Sequence, residues 1–112
     1  MSNLHDAIRQ RRSIRKYLPK EVPRGLVLDV LEAAGWAPSA HNSQPWRYIV
    51  IENPEIKKKL SRNLAEAWAA NLVQDGSQVD PKLRSEREER FAKAPTLILA
   101  CLTMEGLRRF PD

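Results

Sequence analysis

The sequence predicts an α+β domain, helices layered on a small central sheet, and three observations lead there. Two short runs, residues 47–52 and 96–102, are apolar and rich in β-branched residues, as strands are. Helix-periodic segments precede the first run and fill the interval between the two. Neither run alternates, so both are expected to be buried on both faces. Two such strands separated by helices imply parallel pairing through a helical crossover. Two strands are few for a finished sheet, so a partner subunit or further sequence is expected to complete it.

The elements follow in order. Leu4, Ala7, Ile8 and Arg11 share one helical face behind a cap at Ser2 or Asn3. Residues 17–23 carry Pro19 and Pro23 and are extended. A second helix starts at Pro23, with Val27, Val30, Leu31 and Ala34 on one face and Gly35 as its stop. After the first strand, Asn53-Pro54 is a capping residue with proline at the first helical position. Ile56, Leu60, Leu64, Ala67, Trp68 and Leu72 then mark the inner face of a long helix. Residues 74–81 are a polar loop. Residues 82–93 are a solvated helix with Arg84–Glu88 and Glu86–Arg90 spaced for ion pairs. Residues 104–112 show no strong pattern.

Composition narrows the function classes. The 112 residues make one domain, 1–112, with 42% hydrophobic residues, 29% charged residues and a net charge of +5. No apolar run approaches the roughly 20 residues of a membrane span, and the first residues lack a signal-peptide hydrophobic region. Cys101 is the lone cysteine, so no internal disulfide forms, and cytoplasmic residence is the default expectation. His5 and His41 lack metal-ligand spacing, and no metal site is expected. Cys101 lies in an apolar strand and is read as an inert buried thiol. Trp36, Trp46 and Trp68 are read as core or interface anchors. Glu86, Glu88 and Glu89 are read as surface residues.

Two stretches carry chemistry. Arg11, Arg12, Arg15 and Lys16 surround Ser13, and guanidinium forks suit phosphate oxygens. A charged helix end placed by the dipole is the plainer reading of the same residues. Nucleic acid is a third, but the cations are not interleaved with aromatic platforms. The second stretch is the loop Ala37-Pro38-Ser39-Ala40-His41-Asn42-Ser43-Gln44-Pro45-Trp46-Arg47. Its two prolines stiffen it, and a stiff polar loop meets a flat, heteroatom-rich ligand at small ordering cost.

Together, Arg11-Arg12-Ser13-Ile14-Arg15 and the proline-framed loop, in this order and separated by one helix, resemble the N-terminal half of the flavin-dependent nitroreductase family. The run from Ala67-Trp68 to Asp75-Gly76, followed by Phe91-Ala92-Lys93-Ala94-Pro95, is similar to the nitroreductase-like domain attached to deazaflavin-coenzyme glutamate ligases. The resemblance implies a homodimer with FMN at the subunit interface. Arg11, Arg12, Ser13 and Arg15 would hold the ribityl chain and phosphate. Pro38, Ser39, Ala40 and Asn42 of the other subunit would line the ring, with Gln44 fixing the loop. The implied activity is hydride transfer from NAD(P)H through flavin N5 to a small planar acceptor: a nitro compound, a quinone or a deazaflavin precursor. No protein side chain is needed as a catalyst, because the flavin carries the chemistry. The reading from another class is a non-catalytic basic module that binds nucleotide or nucleic acid through Arg11 to Lys16.

Overall fold

The computed structural model describes residues 3–105. Its elements are α1 (Leu4–Gln10), α2 (Arg24–Gly35), β1 (Trp46–Ile51), α3 (Pro54–Gln74), α4 (Pro81–Ala92) and β2 (Leu97–Leu102). A single 3-10 turn, Ala40–Asn42, lies in the loop before β1.

Local chemistry sets the helix ends. The Asn3 side chain accepts from the Asp6 amide and starts α1. The Asn53 side chain accepts from the amides of Glu55 and Ile56, with Pro54 at the first helical position of α3. Asp80 repeats the device for α4, accepting from Lys82 ahead of Pro81. Helix α3 closes on a Schellman turn, in which Ser77 N donates to Leu72 O and Gly76 N to Val73 O. Gly76 sits there at φ 82°, a conformation that would strain any residue with a Cβ.

The strands pair antiparallel, with Trp46 opposite Leu102 and Ile51 opposite Leu97, which corrects the expected parallel crossover. A single helix between strands returns the chain to its starting edge and gives parallel pairing. Here two helices intervene and form a hairpin. Lys57 of α3 meets the end of α4 at Ala94, whereas Ser61 and Arg62, further along α3, meet Glu88. The second helix adds one more reversal, and β2 enters beside β1 in the opposite sense.

The α3–α4 seam is made of small residues. Ser61 is 0% exposed, Ala65 and Ala69 are buried, and Lys57 completes the row at i, i+4, i+8 and i+12. The Ser61 hydroxyl donates to the Glu88 carbonyl. Arg87 lies over the Trp68 ring, 4.3 Å from its centroid. Lys57 is 7% exposed, and its ammonium donates to Ala94 O at 2.8 Å and Pro95 O at 3.1 Å. It thereby clasps the turn between α4 and β2 to the start of α3. The expected apolar stripe is only partly covered: Ile56, Leu64 and Ala67 remain exposed, whereas Leu60, Trp68 and Leu72 are half-buried. Nor do the expected pairs within α4 form, since Glu88 meets Arg62 of α3 and Glu89 meets Lys93.

Helix α2 lies along the sheet. Val27 is buried, Arg24 pairs with Glu52 at 3.7 Å, and Gly35 backs onto the Trp46 indole. The strands are not buried as expected: Ile49, Val50, Ile98 and Leu99 are exposed, and Cys101 is only half-buried. Trp36 is 84% exposed and anchors no core among the described residues.

The accessible surface is 9945 Å², against roughly 6,300 Å² for a compact monomer of this mass. The radius of gyration is 17.9 Å, against about 13 Å for a compact chain of this length. Helices on a small, two-stranded sheet match the predicted fold class, with apolar faces open.

Because Lys57 is the buried donor that holds the helical hairpin to the sheet, Lys57→Met is expected to cost about 1–3 kcal/mol. Chemical denaturation followed by circular dichroism reads this as a lower midpoint, and an unchanged midpoint contradicts the role.

Candidate functional site

The basic arm leaves α1 as extended chain. Arg11 and Arg15 are exposed and carry no ion pair or hydrogen bond from their side chains among the described residues. Arg12 is committed differently: its guanidinium donates to the carbonyls of Arg9 at 2.7 Å and Arg11 at 2.8 Å. It therefore satisfies orphan carbonyls at the end of α1, as the helix-end reading anticipates. Ser13 is exposed beside these cations.

The loop before β1 is held by its own side chains. Gln44 N donates to Ser39 Oγ at 3.0 Å, and the Gln44 side-chain amide donates to Asn42 Oδ1 at 3.2 Å. The amides of Asn42 and Ser43 donate to the carbonyls of Ser39 and Ala40. Arg47 caps the far side by donating to Gln44 O and Trp46 O. Beyond β2, Thr103 N donates to Pro45 O at 2.8 Å and fastens the loop to the sheet.

Backbone strain concentrates here. His41, Asn42 and Gln44 adopt φ of 54°, 53° and 48°, in the left-handed region that non-glycine residues avoid. Each costs on the order of 1 kcal/mol, and such residues persist only where surroundings over-determine them. Within the same turn the Ser43 hydroxyl is buried with no hydrogen-bond partner among the described residues. A buried hydroxyl without a partner costs about 1–3 kcal/mol, a penalty that adds to the strain of this loop.

No hydrogen bond or ion pair joins Arg11, Arg12, Ser13 or Arg15 to Pro38, Ser39, Ala40, Asn42 or Gln44 among the described residues. The arm instead faces α4. Arg15, Lys16 and Tyr17 form one wall of a cleft of about 660 Å³, and Glu86, Glu89 and Arg90 form part of the other. Sequence reasoning missed this wall, having assigned the α4 glutamates to the solvated surface. The available signal was the dense charge of α4, which was read as internal pairing. The pairing expected of Glu86 and Arg90 is not made, and both side chains stay uncommitted at the cleft. No group of three metal-binding side chains occurs among the described residues.

Among known proteins, the sequence profile described as the nitroreductase family matches residues 8–111. The chain is 53% identical over 51 residues to an NADH dehydrogenase of Thermus thermophilus, a match spanning 46% of this chain and 25% of that protein. It resembles the crystal structure of a BluB-like flavoprotein from Clostridium difficile 630 with a TM-score of 0.69 and 30% identity, covering 89% of this chain and 48% of the other. It also resembles a nitroreductase with bound FMN from Bacteroides fragilis with a TM-score of 0.68, covering 94% of this chain and 55% of the other; at 24% identity that likeness speaks for the fold. The chain thus spans a quarter of the first relative and about half of each structure.

The loop's internal bonds generate a prediction. Ser39→Ala removes the acceptor for the Gln44 amide and is expected to destabilise the chain by about 0.5–1.5 kcal/mol, measured by denaturant titration. A midpoint equal to that of the parent chain would show that the loop keeps its shape without that bond.

Proposed function

The chain belongs to the nitroreductase family, and on that premise we propose that residues 1–112 form the FMN-binding, N-terminal half of a flavin-dependent oxidoreductase. The observation that carries the reading is the strained loop at Pro38–Pro45, with three left-handed non-glycine residues and a buried, unpartnered Ser43 hydroxyl. Strain of this kind is retained where a ligand clamp needs it. The basic arm fits the other end of the same ligand, because Arg11 and Arg15 hold uncommitted guanidinium groups beside the Ser13 hydroxyl.

In this reading, Arg11, Ser13 and Arg15 bind the phosphate and ribityl chain, and Arg12 adds charge while capping α1. Pro38, Ser39, Ala40 and Asn42 present the loop to the edge of the flavin ring. Gln44 holds the loop in shape through Asn42 and Ser39. No hydrogen bond or ion pair joins arm and loop among the described residues, and in this reading the loop that meets a given arm comes from a second copy, giving a homodimer. The surface excess of roughly 3,600 Å² over a compact monomer is of the size that obligate interfaces and missing core would cover.

Bound FMN supplies hydride acceptance and electron transfer that no side chain offers. The protein's part is to hold the mononucleotide at both ends, fix the ring against the loop and leave one face for flat reactants. The donor in this reading is a reduced nicotinamide dinucleotide. The acceptor is a small planar, electron-poor molecule such as a nitro compound, a quinone or a deazaflavin precursor.

Titration of the purified chain with FMN, followed by flavin fluorescence, tests the reading. Saturable binding is expected, and Arg15→Ala should weaken it by about 1–3 kcal/mol, roughly 5- to 150-fold. A chain that takes up no FMN but binds nucleic acid with steep salt dependence would overturn it in favour of a basic polymer-binding module.

A further inference from the structure

The cleft between the arm and α4 holds more positive charge than a flavin phosphate requires. Its lining includes Arg15, Lys16, Arg90 and Lys93 against Glu86 and Glu89. Lys93 and Glu89 neutralise each other at 3.0 Å. Arg90 is half-buried, yet neither it nor Lys16 makes an ion pair or side-chain hydrogen bond among the described residues. Arg15 and Lys16 on one wall and Arg90 on the other therefore share a space of about 660 Å³ with one uncommitted carboxylate, Glu86. Guanidinium and ammonium groups gathered in one concavity, with Arg90 half-buried among them, select anions, and Arg favours the paired oxygens of a phosphoryl group. Tyr17 lines the same wall, and an aromatic side chain there suits a sugar or base.

We propose that Lys16 and Arg90 form a second phosphoryl subsite that receives the diphosphate of the nucleotide hydride donor, beside the flavin phosphate held by Arg11, Ser13 and Arg15. This inference rests on the flavin reading for its donor, and it assigns Arg90, outside both sequence motifs, as a binding residue. A mononucleotide brings one phosphate, which the arm serves alone. A dinucleotide brings two adjoining phosphoryl groups that must lie near the flavin if its nicotinamide is to reach the ring. The cleft has the size of a nucleotide site, and Glu86 sets its limit by repelling the same anion.

The test titrates the full chain with ADP as the diphosphate probe and, separately, with FMN. Arg90→Gln is expected to weaken ADP about tenfold while shifting FMN less than twofold, and Arg90→Lys should recover part of the ADP loss. Glu86→Gln should tighten ADP two- to threefold, an increase that a misfolded variant would not produce. Equal ADP affinity in the parent and Arg90→Gln chains overturns the subsite, as does a loss confined to FMN, which would give Arg90 to the flavin phosphate instead. If the parent chain binds ADP through Arg90 but binds no FMN, the flavin reading fails and the phosphoryl subsite stands. If FMN binds through Arg15 and ADP does not bind, the subsite fails and the flavin reading stands.

Discussion

One buried ammonium group holds this architecture together. Lys57 leaves water to donate to two carbonyls at the turn where α4 gives way to β2. A lysine buried to this degree is tolerated only when its protons are satisfied. Here the acceptors follow the C-terminus of α4, where the helix dipole favours a cation. The consequence is geometric. The start of α3, immediately after β1, and the start of β2 are pinned to one point, so two helices close a hairpin over one end of the sheet. The strands must then run in opposite senses.

From that clasp the path to the loop is short. Strand β2 runs back along β1 from Leu97 opposite Ile51 to Leu102 opposite Trp46. Thr103 then donates to Pro45, the last residue of the strained loop. The loop is bonded into the sheet at one end and braced by Ser39, Asn42 and Gln44 within. Stiffness is useful to a ligand only if it is paid for before binding, and this loop carries its strain in the folded chain. The basic arm is the opposite case. It is extended and held by few bonds, and apart from Arg12 its cations make no hydrogen bond or ion pair among the described residues.

Much of this was legible in the sequence. Asn53-Pro54 marks a helix start because a short polar acceptor ahead of proline meets the needs of a first turn with nothing else nearby. The same device at Asp80-Pro81 and the helix end at Gly76 lay within the stretch read as a polar loop, although both are equally local. The loop announced itself through its prolines and small polar residues. Pairing direction did not, because it depends on whether the intervening helices make one reversal or two, a tertiary fact. The α3 seam was missed because hydrophobic periodicity points to Ile56, Leu60 and Leu64, whereas close helix approach uses the small residues Ser61, Ala65 and Ala69. Both faces are real, and the large one is left partly open, at Ile56 and Leu64. The exposure of Trp36, Ile49 and Leu99 has the same origin, since apolar residues show that something covers them and not what covers them. The α4 side of the site was hidden because its charges pair equally well on paper within the helix, and only the fold sends Glu88 to Arg62 and leaves Arg90 at the cleft.

The central claim is that a flavin site is shared between copies, with the arm of one chain facing the loop of another. The most direct measurement mixes two separately defective chains, one carrying Arg11→Ala and Arg15→Ala and the other carrying Ser39→Ala and Asn42→Ala. Flavin binding is then measured after the chains have been allowed to exchange partners. The account predicts that neither variant alone retains FMN and that the mixture regains one intact site per mixed dimer. A mixture that binds no better than its components would contradict it, because arm and loop would then serve the flavin within a single chain or not at all.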